Sequence, residues 1–162
     1  MKYIRFNKKS KAEYNLIFIY QDKLSSLNKS VLSDTVLEDV KLAISNKIIT
    51  GTSGSMNTLS SKMYEKNYFL IGLGEKNKLT IQTYEKCLNS ALKTINGYNI
   101  KSISLNLNNI TIKNYDHIMS SIIEIEKTQY SYKDKNISSL KECILNVPNK
   151  VSNKQFSNTI NI

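Results

Sequence analysis

The run Tyr68-Phe69-Leu70-Ile71-Gly72-Leu73-Gly74-Glu75-Lys76 decides how this chain folds. Residues 68–73 are almost continuously apolar and are followed by a glycine turn. A short apolar run of this kind reads as a strand covered on both faces. The period then changes. Ile81, Tyr84, Leu88, Ala91, Leu92 and Ile95 recur at helical spacing, Thr80 stands where a cap belongs, and Gly97 supplies a stop. Residues 102–107 alternate strictly, with Ile103, Leu105 and Leu107 on one side, as in a strand with one buried face. Asn114 is placed to cap a further helix whose core face is Tyr115, Ile118, Met119, Ile122 and Ile125. Residues 143–147 form a last apolar strand, which Pro148 ends. The order strand, helix, strand, helix, strand predicts crossover units on a largely parallel sheet with helices on both faces.

Upstream, residues 14–20 are a second apolar run, rich in isoleucine and aromatics, and residues 3–6 are a shorter strand candidate. Residues 22–33 are polar and loop-like. Thr35 and Glu38 fit a capping box, and Val36, Leu37, Val40, Ala43 and Ile44 follow at helical spacing. Residues 51–55 are a glycine–serine turn. The chain has no internal repeat, and its 162 residues suit one domain with a sizeable core.

Residues 114–149 read NYDHIMSSIIEIEKTQYSYKDKNISSLKECILNVPN. The helical pattern runs into Tyr130-Ser131-Tyr132-Lys133-Asp134, and after a loop the last strand ends in Asn146-Val147-Pro148-Asn149. This layout resembles the end of the N-terminal domain of leucyl aminopeptidases, the cytosol aminopeptidase family. In that domain a long helix closes on a Tyr-Ser-aromatic turn, and a strand ending in Asn-Val-Pro leads toward the catalytic domain. Residues 68–76 are similar to its central strand and glycine turn. The ordered motifs cover nearly the whole chain.

The resemblance implies a three-layer, macrodomain-like α/β fold on a largely parallel mixed sheet, and it adds a strand at 56–60. It implies that residues 1–149 are the N-terminal domain and that residues 150–162 begin a linker helix to a C-terminal catalytic domain absent from this chain. The parent it implies is a bacterial, cytoplasmic, hexameric metallopeptidase with two divalent metal ions, zinc or manganese, that removes N-terminal amino acids from peptides. This domain would be non-catalytic, contributing to oligomer architecture and to access to the peptidase site. The family's Asn-Thr-Asp-Ala-Glu-Gly-Arg active-site stretch does not occur here. No catalytic, metal or cofactor-binding residue is therefore assigned. The polar tail 149–162 is expected to be frayed or loosely docked through Val151, Phe156 and Ile160, and its removal to leave stability nearly unchanged.

Composition bounds the alternatives. The net charge is +10, which favours anionic partners. Lysine, asparagine and isoleucine are abundant together and the only arginine is Arg5, a pattern that AT-rich coding also produces. Lys8, Lys9 and Lys11 form the densest basic run and could touch nucleic-acid phosphates, in a DNA-binding accessory role. Arginine, which best reads guanine, is almost lacking. Gly72-Leu73-Gly74 could cradle a phosphate, as in a macrodomain-like nucleotide binder, but Asn77 stands where a third glycine would be, and a tight turn needing positive φ explains the pair. His117, the only histidine, falls off the apolar stripe and is expected on the surface. Asp34, Glu38 and Asp39 suit a helix start without a metal. Cys87 and Cys143 lie on apolar faces and read as buried reduced thiols, which suits a cytoplasmic protein. The apolar run at 16–20 is too short for a signal-peptide core, and no stretch is long enough to cross a membrane.

Overall fold

Leu16, Ile17, Phe18 and Ile19 of one strand and Phe69, Leu70 and Ile71 of its neighbour are all buried, so neither strand has a face turned to water. The rest of the chain is arranged around this pair. The computed structural model describes residues 1–7, 11–27, 32–59, 66–133 and 140–161. Among these, the elements in chain order are β1 (Lys2–Arg5), β2 (Tyr14–Ile19), α1 (Asp34–Ser45), β3 (Met56–Leu59), β4 (Asn67–Gly72), α2 (Ile81–Asn96), β5 (Ser102–Asn106), α3 (Asp116–Lys133), β6 (Glu142–Asn146) and α4 (Asn153–Ile160).

The strands form one sheet in the order β1-β6-β5-β2-β4-β3. Every pairing is parallel except that of β3 with β4. The chain crosses from β4 through α2 to β5, and from β5 through α3 to β6, as the alternating pattern predicts. Successive side chains of a strand point to opposite faces. Leu16, Phe18 and Tyr20 therefore join Phe69 and Ile71 in a large cluster with α2, α3 and α4, whereas Ile17 and Ile19 join Tyr68 and Leu70 against Val36, Leu37 and Val40 of α1. The fold is a three-layer α/β domain on a mixed, mostly parallel sheet.

Several boundaries differ from the sequence reading. The helix expected from a Thr35–Glu38 capping box begins at Asp34 instead, with Ser33 as its cap residue. Asn114 does not cap α3. Asn114 and Tyr115 take positive φ values of 58° and 57° in a short 3-10 turn, and the helix starts at Asp116. Thr80 does cap α2, its hydroxyl accepting from the Thr83 amide at 3.2 Å, and Gly97 closes that helix. The tail is also more firmly held than expected. Ser152 and Gln155 form a reciprocal capping box at the start of α4, and Val151 and Phe156 are buried in the larger cluster, with Ile160 packed against it. Arg5 lies over the Phe156 ring at 5.9 Å and donates to Asn153 Oδ1 at 2.8 Å, so the first strand and the last helix hold each other.

Replacing Ile71 by Ala removes a side chain that is 1% exposed and should lower the urea unfolding free energy by about 2–5 kcal/mol. A loss under about 1 kcal/mol would mean that β4 is not central. Phe156→Ala should cost about 3–5 kcal/mol. An unchanged thermal midpoint in that variant would restore the loosely docked tail.

Candidate functional site

The sheet leaves a crevice at the carboxyl ends of β2 and β5. After β2 the chain turns toward α1 on one face, and after β5 it turns toward α3 on the other. Such a divergence is where open α/β sheets place ligands. A cavity of about 290 Å³ lies here. Ile17, Tyr20 and Leu27 supply apolar walls, and Lys23, Lys76, Asn106 and Asn108 supply polar ones.

Each wall has a local cause. Tyr20 is clamped by its hydroxyl, which donates to the Asn109 carbonyl at 2.9 Å, and the Asn109 side-chain amide donates to the Phe18 carbonyl at 2.8 Å. These two bonds fix the loop after β5 over the end of β2. Burial raises the Tyr20 pKa, so the phenol stays a donor. The amide of Asn108 donates to Asn106 Oδ1 at 3.3 Å, a short local turn. Lys76 opens a 3-10 turn after β4. Its backbone amide donates to Asp22 Oδ1 at 3.0 Å, and its ammonium lies 6.0 Å from the Tyr20 ring centroid.

The glycine turn beside the crevice is not a phosphate cradle. Its amides are already spent on other strands and turns: Gly72 donates to the Ser55 carbonyl at 2.8 Å, Leu73 to Ile19 at 2.9 Å and Gly74 to Gly51 at 2.9 Å. What the glycines provide is close approach and one positive φ. A Cβ on Gly72 would collide with the Ser55 hydroxyl and the Thr52 carbonyl, and Gly74 has φ +80°. The tight-turn reading of this motif holds.

His117 corrects the sequence reading outright. It is not on the surface but fully buried. His117, Ser120, Ser121, Glu124 and Thr128 of α3 are all buried, forming a polar stripe beside Ile118, Ile122 and Ile125. Much of the stripe meets α2. Ser120 Oγ donates to Glu85 at 2.5 Å, the Ser121 and Tyr84 hydroxyls share a 2.6 Å bond, and Asn89 Nδ2 donates to Glu124 at 3.1 Å. His117 stacks edge-on to Tyr84 at 6.3 Å between centroids, and both of its ring nitrogens are buried. Burial pushes its pKa down to about 4, opposed by the Leu107 backbone and the Asp116 carboxylate. A neutral, enclosed imidazole without a nucleophile on it is a packing element.

None of the other expected site residues that are described lines the crevice. Lys11 is exposed, and Lys8 and Lys9 lie outside the described residues. Asp34, Glu38 and Asp39 sit on α1, where Glu38 pairs with Lys41 at 3.2 Å. Cys87 and Cys143 are free and buried, and burial raises the Cys143 pKa. Among the described residues no group of three or more His, Cys, Asp or Glu could hold a metal ion, and no helix is long and apolar enough to cross a membrane.

The fold is that of an α/β domain of macrodomain type. The macrodomain of Thermus aquaticus DarG shares it with a TM-score of 0.62 at 12% identity, over 91% of this chain and 97% of that one. A tomato leucine aminopeptidase mutant matches at a TM-score of 0.68 and 13% identity, over 99% of this chain but 34% of its own. In sequence, the model of the cytosol aminopeptidase family's N-terminal domain matches residues 16–136. A probable cytosol aminopeptidase of Buchnera aphidicola subsp. Schizaphis graminum (strain Sg) is 36% identical over 86 residues, 50% of this chain and 17% of that relative. The chain belongs to the cytosol aminopeptidase family, as its N-terminal domain. It spans about a sixth of the curated relative it matches.

The buried histidine makes stability depend on pH. The unfolded chain takes up a proton below about pH 6.5, whereas the native imidazole resists until about pH 4. Stability is therefore full above 6.5, falls between 6.5 and 4, and then levels off, with a loss of at most about 3 kcal/mol from this group. Urea midpoints measured across that range should flatten in His117→Gln relative to the parent. Parallel curves would show that His117 is reached by protons in the native state.

Proposed function

We propose that this chain serves as the non-catalytic N-terminal domain of a metal-dependent leucyl aminopeptidase, contributing to oligomer architecture and to access to the peptidase site. One observation carries the reading: the N-terminal-domain match runs over residues 16–136, through the central strands, the crossovers and all of α3. The described residues do not fit two divalent ions, since they bring no ligand cluster together. Metal chemistry would then belong to the catalytic domain of the parent, a cytoplasmic homo-oligomer, with residues 150–162 leading toward that domain.

A second reading is supported by the charge of +10: an accessory nucleic-acid surface that includes Lys8, Lys9 and Lys11. Lysine contacts to phosphate are sequence-independent and release counterions, so they weaken steeply with salt.

The purified chain should not hydrolyse leucine p-nitroanilide, with or without added manganese or zinc. Robust, chelator-sensitive hydrolysis would overturn the non-catalytic reading. DNA binding should be weak, indifferent to sequence, and lost on raising salt from 50 to 200 mM, a range over which several phosphate contacts cost about 10³-fold. Sequence-selective shifts that survive the higher salt would promote the nucleic-acid role above the peptidase one.

A further inference from the structure

We propose that this chain pairs with a second copy of itself through the outer edge of β3, so that the sheet continues across a two-fold axis. This goes beyond the aminopeptidase reading and does not depend on it, because the association belongs to the chain alone. The first reason is the edge itself. β1 and β3 are the outer strands of the sheet. Lys2 and Arg5 put cations on β1, whereas β3, Met-Asn-Thr-Leu, has neither a charge nor a proline. Edge strands are ordinarily guarded by such residues. The backbone of β3 is also only half used. The Ser55 carbonyl accepts from the Gly72 amide at 2.8 Å, and Asn57 is paired with Leu70. Backbone groups alternate in direction along a strand, so those of Met56 and Thr58 point away from β4. Beyond them no further strand lies among the described residues.

The second reason is that this edge is its own complement. An antiparallel copy related by a two-fold axis through Asn57 sets Met56 against Thr58 of the partner subunit, and Thr58 against Met56 of the partner subunit. All of these residues offer an outward amide and carbonyl, so each pair exchanges both of its hydrogen bonds. Asn57 then faces its own copy on the axis. No charge within β3 invites an acidic strand instead, and none repels a like one. The third reason is exposed apolar surface on both faces of the edge. Ile48, whose carbonyl accepts from Asn57 Nδ2 at 3.5 Å, is 65% exposed. Tyr98, whose ring centroid lies 6.1 Å from that of Phe69, is 54% exposed, and Phe69 is the β4 partner of Thr58. Asn57 and Thr58 point to opposite faces, so Ile48 and Tyr98 flank the edge from opposite sides. The same axis brings Ile48 toward its copy and Tyr98 toward Met56 of the partner subunit, which withdraws from water apolar surface that a single chain exposes.

An interface of this small size gives a weak dimer, so sedimentation equilibrium of the full chain up to about 500 µM in 300 mM KCl tests it. The mean mass should rise with concentration from 18.5 kDa toward twice that value. Each copy carries a net charge of +10, so association should strengthen as KCl is raised from 50 to 300 mM. Asn57→Asp and Asn57→Lys each set like charges face to face on the axis, and each should weaken the dimer by at least about fivefold. Mixing the two variants should restore association, because opposite charges then meet. Thr58→Lys, at an exposed position, should also weaken the dimer, and it serves if the variants at Asn57 fail to fold. Tyr130→Ser, 74% exposed on α3, should leave it unchanged. A monomer at every concentration would overturn the proposal, as would a dimer that added salt weakens. So would a mixture of folded Asn57 variants no tighter than its components, a dimer retained in Thr58→Lys, or equal loss in Tyr130→Ser.

Discussion

The constraint on which everything else depends is that β2 and β4 cannot face water on either side. A half-buried strand needs one partner layer, whereas a strand apolar on both faces needs two. The connection after β2 therefore carries α1 over one face, and the connections after β4 and β5 carry α2 and α3 over the other. A parallel sheet follows, because each crossover returns the chain to the same end of the sheet. The divergence of the loops that forms the crevice is a by-product of this covering: a chain obliged to clothe both faces must part somewhere along the strand ends.

Two finer devices hold the layers in register. On one side of β4 the turn at residues 51–55 is drawn against Gly72 so closely that no side chain fits between them. On the other side, α2 and α3 meet through paired hydroxyls, amides and carboxylates. Apolar side chains tolerate sliding, because contact area changes little with small shifts. The Glu85–Ser120, Tyr84–Ser121 and Asn89–Glu124 bonds each specify one position, since a buried polar group that loses its partner costs about 1–3 kcal/mol.

The strands were legible because a continuous apolar run such as that of residues 68–73 has few other uses. Strict alternation at Ile103 and Leu105 similarly identified β5 as half-covered, which its burial pattern bears out. The orientation of α3 was only half legible. Ile118, Ile122 and Ile125 are buried as their spacing implies, but the second buried stripe is made of polar residues, and hydrophobic periodicity cannot see those. His117 was missed for that reason, compounded by the left-handed Asn114 and Tyr115, which delay the helix start beyond the residue that looked like its cap. The crevice was not legible at all. Lys23, Lys76 and Asn108 come from three separate loops, and only the sheet order brings them together. The family, by contrast, could be read from the ordered motifs, because order and spacing survive where individual side chains change.

The pairing of β1 with β6 has a consequence for how the chain is made. Lys2–Arg5 aligns with Glu142 through Leu145, and Tyr3 donates to Glu126 at 2.6 Å. The earliest strand of this domain thus has its partner, among the described residues, near the other end of the domain. During translation it must wait, exposed, while β2, β4 and β5 assemble behind it. Contacts this remote in sequence form late and slow the completion of a fold. Lys2 and Arg5 keep the waiting strand soluble, and a strand carrying two cations in four residues is a poor template for pairing with another nascent chain.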